Sequence, residues 1–117
     1  MKEILVLSYA GCSTCKKALK WFQDHKVPVT VRAIVDEPPT KKELAEWIPK
    51  AGLPIRKWFN TSGLSYRALD KGTVANASDA EIISWLSKDG KLVKRPVVVT
   101  PKAVLLGFDP ANYAKYF

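Results

Sequence analysis

Histidine and cysteine are scarce in this chain: His25 is its one histidine, and two cysteines complete the set among 117 residues. A structural zinc site takes four ligands, and two cysteines with one distant histidine do not supply them, so no metal is expected. Long apolar runs are missing too. No stretch approaches the roughly 20 apolar residues of a membrane span, and the N-terminal run is too short for a secretory leader and carries Glu3. A soluble, cytoplasmic protein with no membrane partner is therefore expected. In that reducing compartment, two closely spaced cysteines are more often catalytic or redox-sensing than structural.

Acidic residues are in deficit. Eleven Asp and Glu face nineteen Lys and Arg, a formal charge of +8. Such a balance is compatible with acidic proteins, small anions or nucleic acid and selects none of them. The cations fall in separate pairs (Lys16-Lys17, Lys41-Lys42, Arg56-Lys57, Lys94-Arg95) rather than in one basic tail, so a solvated surface accounts for most of them. No nucleic-acid recognition module is apparent, and salt-dependent, non-specific contact is the most such a surface would give. A hydrophobic content of 47% argues for a folded globule. Its length suits one domain, residues 1–117, burying about two-thirds of its unfolded surface.

The two cysteines are what the pattern is organised around. Glu3 to Tyr9 has strand composition, Ala10-Gly11 breaks it, and helical spacing begins at Ser13. Cys12-Ser13-Thr14-Cys15 thus falls at a strand-to-helix turn. A helix N-terminus offers free amide donors and partial positive charge, which favour a thiolate at Cys12. Cys15 follows about one turn later, close enough to attack a disulfide formed at Cys12. A pair of inert buried thiols is the competing reading.

Along the chain, Cys15, Ala18-Leu19 and Phe22 form one apolar stripe of a helix ending near Lys26, with His25 as a surface or capping residue. Val29 to Ala33 alternates apolar and polar residues, which predicts a second strand with one covered face, parallel to the first. Thr40-Lys41-Lys42-Glu43 and Ser78-Asp79-Ala80-Glu81 both carry a reciprocal helix-capping pattern. Pro49 is expected to limit the first of these helices, Gly72 to Ala77 to form a loop, and Gly90 to sit just past the end of the second. Short helices fit Ile55 to Phe59 and Tyr66 to Leu69. Trp47, Trp58 and Trp85 are expected to be packing residues. Val97 to Val99 and Val104 to Leu106 read as a hairpin, and Asp109-Pro110 opens a last helix. The sum is an α/β domain of four strands, with a helical block over about 40–90.

These residues resemble the arsenate reductase (ArsC) family of the thioredoxin-like fold. Its signs are Cys12 to Ala18, Glu37-Pro38-Pro39-Thr40, Phe59 to Gly63, Tyr66, Lys94-Arg95-Pro96 and Val104 to Phe108, in that order over nearly the whole chain. The resemblance implies a four-stranded mixed sheet with a helical insertion between strands 2 and 3. It also implies a cis peptide before Pro96 opposite the thiols, and an anion-binding role for Arg95, with Ser13, Thr14 and Asn60 as further substrate contacts. Asn60 and Phe108 stand where glutaredoxin-linked arsenate reductases place additional arginines, and Cys15 offers an internal resolving thiol that those enzymes lack. In both respects the chain is similar to the uncharacterised ArsC-family relatives and to the Spx-type branch.

Two functions from different classes follow. One is a thiol-disulfide oxidoreductase with Cys12 and Cys15 as catalytic residues, able to pass through an intramolecular disulfide bond. It would need no bound cofactor and would be regenerated by thioredoxin, glutaredoxin or a low-molecular-weight thiol. Reduction of arsenate itself is a weaker variant of that reading. The other is an Spx-like redox-sensing regulator that binds RNA polymerase.

Overall fold

The computed structural model describes residues 4–117; Glu3, where the first strand was expected to begin, lies outside them. The described residues form a four-stranded mixed sheet of order β2-β1-β3-β4, built from β1 (Leu5–Ser8), β2 (Thr30–Ala33), β3 (Val97–Val99) and β4 (Val104–Leu106). β1 pairs with β2 in parallel and with β3 antiparallel, and β3 pairs antiparallel with β4. Helix α1 (Ser13–Asp24) connects β1 to β2. Helices α2 (Lys41–Ala51), α3 (Leu64–Arg67), α4 (Lys71–Ala75) and α5 (Asp79–Lys88), with 3₁₀ turns at Ile55–Trp58 and Gly90–Leu92, form the insertion between β2 and β3. α6 (Pro110–Tyr116) closes the chain.

Register divides the core in two, because side chains alternate between the faces of a sheet. Val6, Val98 and Leu105 lie opposite one another across three strands, and all pack with Ala18 and Phe22 of α1 and Tyr113 of α6. One step along, Leu7 and Val97 face the other way, into the insertion, with Leu44, Trp47, Trp58, Ile82 and Leu86. Each fully buried aliphatic or aromatic side chain contributes about 1.5–3 kcal/mol. β1 and β3, the two central strands, are buried on both faces and carry both halves of the core.

α1 buries Cys15, Ala18 and Phe22, the stripe expected from spacing. Both capping boxes form: the Thr40 hydroxyl accepts from the Glu43 N–H at 3.1 Å while the Glu43 carboxylate accepts from the Thr40 N–H at 2.9 Å, and Ser78 and Glu81 repeat the exchange. Trp47 and Trp58 are buried, and Trp85 packs partly buried beside them.

Three local expectations need correction. β2 has no covered apolar face: it is the edge strand, Val31 is 53% exposed, and the partly covered position is Arg32. Arg32 donates to both Glu43 carboxylate oxygens at 2.8 and 2.9 Å and to the carbonyls of Glu37 and Pro38, tying the sheet edge to α2. That guanidinium holds the Glu43 carboxyl below its usual range. Pro49 does not end α2, which runs on to Ala51 and stops at Gly52 with φ 66°; a proline this near the end sacrifices one backbone hydrogen bond only. The expected loop over 72–77 contains α4, because Asp70 accepts from the Thr73 N–H at 2.9 Å and caps a turn in spite of Gly72. Gly90 sits just past the end of α5, as its position in the sequence suggested. It begins a 3₁₀ turn, and a Cβ there would collide with the Ile34 carbonyl, so its bareness serves a close backbone approach.

Candidate functional site

β1 ends by delivering the chain to a tight turn in which the Cys12 N–H donates to the Tyr9 carbonyl at 3.0 Å. Cys12 is extended (φ −97°, ψ 115°) and occupies the N-cap of α1, where its Sγ accepts from the Cys15 N–H at 3.4 Å. Cys12 is half-buried and Cys15 fully buried behind it; both are free thiols. Ser13 and Thr14 follow on the exposed first turn of the helix.

The two sulfurs are driven apart in acidity. Partial burial resists ionisation of Cys12, but it is outweighed by hydrogen bonds from the Cys15 thiol and N–H, the positive charge of Arg95 and the Thr14 N–H, leaving its pKa below the ordinary thiol value. Burial pushes Cys15 the other way, helped by the neighbouring Cys12 sulfur and opposed by bonds from the Tyr9 backbone and Ser8. One thiol is thus set to ionise first while the other stays protonated in reserve. Lys16 and Lys17, next along α1, are exposed and take no part in shifting Cys12. Arg95 is the cation that does.

Arg95 is held in place by Tyr9. Its guanidinium carbon lies 4.8 Å from the centre of the Tyr9 ring, a cation–π contact, and the ring itself lies against Gly11. The Arg95–Pro96 peptide is cis, and Pro96 is buried. Its carbonyl accepts from the Gly107 N–H at 2.9 Å, which joins the start of β3 to the turn after β4.

A polar cleft of about 510 Å³ opens over Cys12. Its lining brings together Cys12, Ser13, Thr14, Asn60 and Arg95, all singled out in the sequence, while Cys15 lies beneath. Asn60 is partly engaged: its amide donates to the Lys91 carbonyl at 3.4 Å and its side-chain oxygen accepts from Ser62 at 3.4 Å. Sequence reasoning missed Lys94, Ser62 and Gly63 as cleft residues and Tyr9 as the platform for Arg95. Lys94 stands beside Arg95 and was the most accessible of these clues. Phe108 also lines the cleft. A larger hollow of about 660 Å³ near Arg56, Tyr66 and Val74 holds no thiol, and Arg56 there is spent on the carbonyls of Val74, Ala75 and Ala77. Among the described residues, no cluster of three or more His, Cys, Asp or Glu could hold a metal ion, and no helix is long and apolar enough to cross a membrane.

A mixed four-stranded sheet, a helix N-terminus carrying the first cysteine and an insertion that roofs the cleft define an ArsC-type protein. The chain belongs to the ArsC family, whose model matches residues 7–116. It is 40% identical to the uncharacterized protein YusI of Bacillus subtilis over 106 residues, 90% of each chain. An ArsC-family-related protein from Bacteroides fragilis superposes with a TM-score of 0.94 at 46% identity, covering 98% of both chains. The global transcriptional regulator Spx of Streptococcus pneumoniae R6 is 26% identical over 99 residues, 85% of this chain and 74% of Spx. The α/β thioredoxin-like architecture stands with these neighbours.

The geometry assigns the activation of Cys12 partly to one cation. In a Cys15→Ser background, Arg95→Ala is expected to move the pH midpoint of Cys12 alkylation by iodoacetamide upward; an unchanged midpoint would remove Arg95 from that account.

Proposed function

We propose that the protein is a thiol-disulfide oxidoreductase. The observation that carries this reading is Cys12 Sγ at the α1 N-cap, bonded to the Cys15 N–H and faced by Arg95 at the floor of an open cleft. The Cys12 thiolate attacks one sulfur of a substrate disulfide, forming a mixed disulfide and expelling the other sulfur as a thiolate. Cys15 then loses its proton and attacks Cys12 Sγ. The bond between Cys12 and the substrate breaks, the substrate leaves as a second thiolate, and the Cys12–Cys15 disulfide remains. The substrate has gained two electrons and the protein has lost them. A thioredoxin, a glutaredoxin or a low-molecular-weight thiol restores the dithiol. Reduced Cys15 is protected by burial until the mixed disulfide draws it into reaction, which suits a resolving thiol.

Arsenate reduction is a less well-supported variant. Lys94 and Arg95 are the cations lining the cleft, and its other walls carry Asn60 and Phe108. Holding a multiply charged oxyanion with few charge-assisted bonds forfeits about 1.5–3 kcal/mol for each one missing.

The test is stoichiometric. Reduced protein mixed with a limiting amount of the aromatic disulfide reagent 5,5′-dithiobis(2-nitrobenzoate) should release both halves of each reagent molecule, the second at the rate of resolution by Cys15. Cys15→Ser should release one half and retain the other. Release of a single half by the unaltered protein would defeat the dithiol mechanism.

Similarity to Spx over most of the chain favours a second reading, a redox-sensing regulator using the same two thiols. Capture of RNA polymerase by the oxidised but not the reduced protein is the expected outcome of that reading; equal or absent capture in both states would leave the oxidoreductase alone.

A further inference from the structure

Cys12 and Arg95 line one side of the cleft; what holds the Gly107–Phe108 side is a tyrosine that is not itself a lining residue. Tyr113 is the buried residue of α6, 1% exposed, and its hydroxyl donates to the Gly107 carbonyl at 2.8 Å. Gly107 sits at φ 75°, a left-handed conformation, and its N–H donates to the Pro96 carbonyl at 2.9 Å. Both polar groups of the Gly107 backbone are therefore fixed, one by the residue after Arg95 and one by Tyr113. Gly107 and its neighbour Phe108 line the cleft from the end of β4, two strands over from the β1 turn that leads to Cys12.

The Tyr113 ring is itself immobilised from the other side. It stacks on Phe22 of α1 at 5.2 Å and meets Trp21 and Phe108 edge-on at 5.4 and 5.2 Å. α1 is the helix that begins with Cys12 and Ser13. One side chain thus spans from the helix that presents the thiolate to the turn that forms the Gly107–Phe108 wall. Burial pushes the hydroxyl pKa upward, so it remains a proton donor across the pH range in which thiols react.

We propose that Tyr113 is a positioning residue that sets the distance and orientation of the Gly107–Phe108 wall relative to Cys12, and so determines how a disulfide is seated in the cleft. The proposal rests on the oxidoreductase reading for its meaning. Its test needs only the first attack by Cys12.

Tyr113→Phe keeps the packed ring and deletes the hydroxyl. Initial release from 5,5′-dithiobis(2-nitrobenzoate) is followed at increasing reagent concentration, giving a saturation constant and a maximum rate. Loss of one buried hydrogen bond is expected to raise the saturation constant about three- to tenfold. The maximum rate and the pH midpoint of Cys12 alkylation should stay unchanged, since the Cys12 environment is untouched. A lower melting temperature with an unaltered saturation constant would make Tyr113 a packing residue and overturn the proposal. If circular dichroism shows that Tyr113→Phe has lost its fold, the same titration is made with it at a lower temperature at which the fold is retained, and again a raised constant supports the proposal and an unaltered one overturns it. Failure of the dithiol reading appears elsewhere, as a single released half in the unaltered protein.

Discussion

One weak hydrogen bond links the architecture to the chemistry, that from the Cys15 N–H to Cys12 Sγ. A helix start leaves its first amide donors unpaired, and proteins ordinarily satisfy one with an oxygen from Ser, Thr, Asp or Asn. Here the acceptor is sulfur, and the first turn of α1 offers no acidic side chain to share the task. A thiol accepts poorly and a thiolate well. The same interaction therefore completes the helix and stabilises the nucleophile, and each is better served when the other is in place. A hydroxyl at this position would cap the helix and leave nothing to attack a disulfide.

The rest of the molecule can be understood as holding other groups around that sulfur. β1, packed on both faces, brings Tyr9 and the turn to a fixed point, and the antiparallel pairing of β3 with β1 brings Arg95 and Pro96 alongside. β4 and its Gly107 turn close the far wall, while Asn60, Ser62 and Gly63 descend from the insertion. The cleft is thus assembled from four separate stretches of chain. Sheet register aligns three of these stretches, and the insertion supplies the fourth. Fold stability and site geometry consequently share residues: a slip of one position in β3 would send Val97 to the wrong face and carry Arg95 with it.

How much of this could be read without coordinates depended on the range of the interaction. Local patterns spoke plainly: the strand-to-helix break at Ala10-Gly11, the α1 stripe and the two capping boxes each have their partners within a few residues. Features set by distant neighbours were misread. The alternation in β2 looks like a half-buried strand, yet its place at the sheet edge leaves Val31 in solvent and gives Arg32 the partly covered role. Gly90 was placed correctly past the end of α5, but the Ile34 backbone pressed against it is a constraint that spacing does not show. α4 was a local miss: Asp70 outweighed Gly72 because a formed cap offsets the intrinsic cost of one glycine. In the site, Cys12 and Cys15 declared themselves by spacing. Arg95 and Asn60 entered through family resemblance, since nothing local to them points at a sulfur. Tyr9 and Tyr113 passed unnoticed, because an aromatic that positions a cation or a carbonyl looks in sequence like any other packing residue.

The central claim, that capping α1 and ionising Cys12 are one interaction, has a thermodynamic consequence. A thiol whose pKa is lower folded than unfolded adds stability that is fully present above the unfolded pKa and is lost as pH falls through the folded pKa. The direct measurement is the denaturant unfolding free energy of Cys15→Ser compared with that of the Cys12→Ala/Cys15→Ser double variant across the pH range of thiol ionisation. The account predicts that the first gains stability over the second as pH rises. A difference that stays constant with pH, or shrinks as it rises, would contradict it.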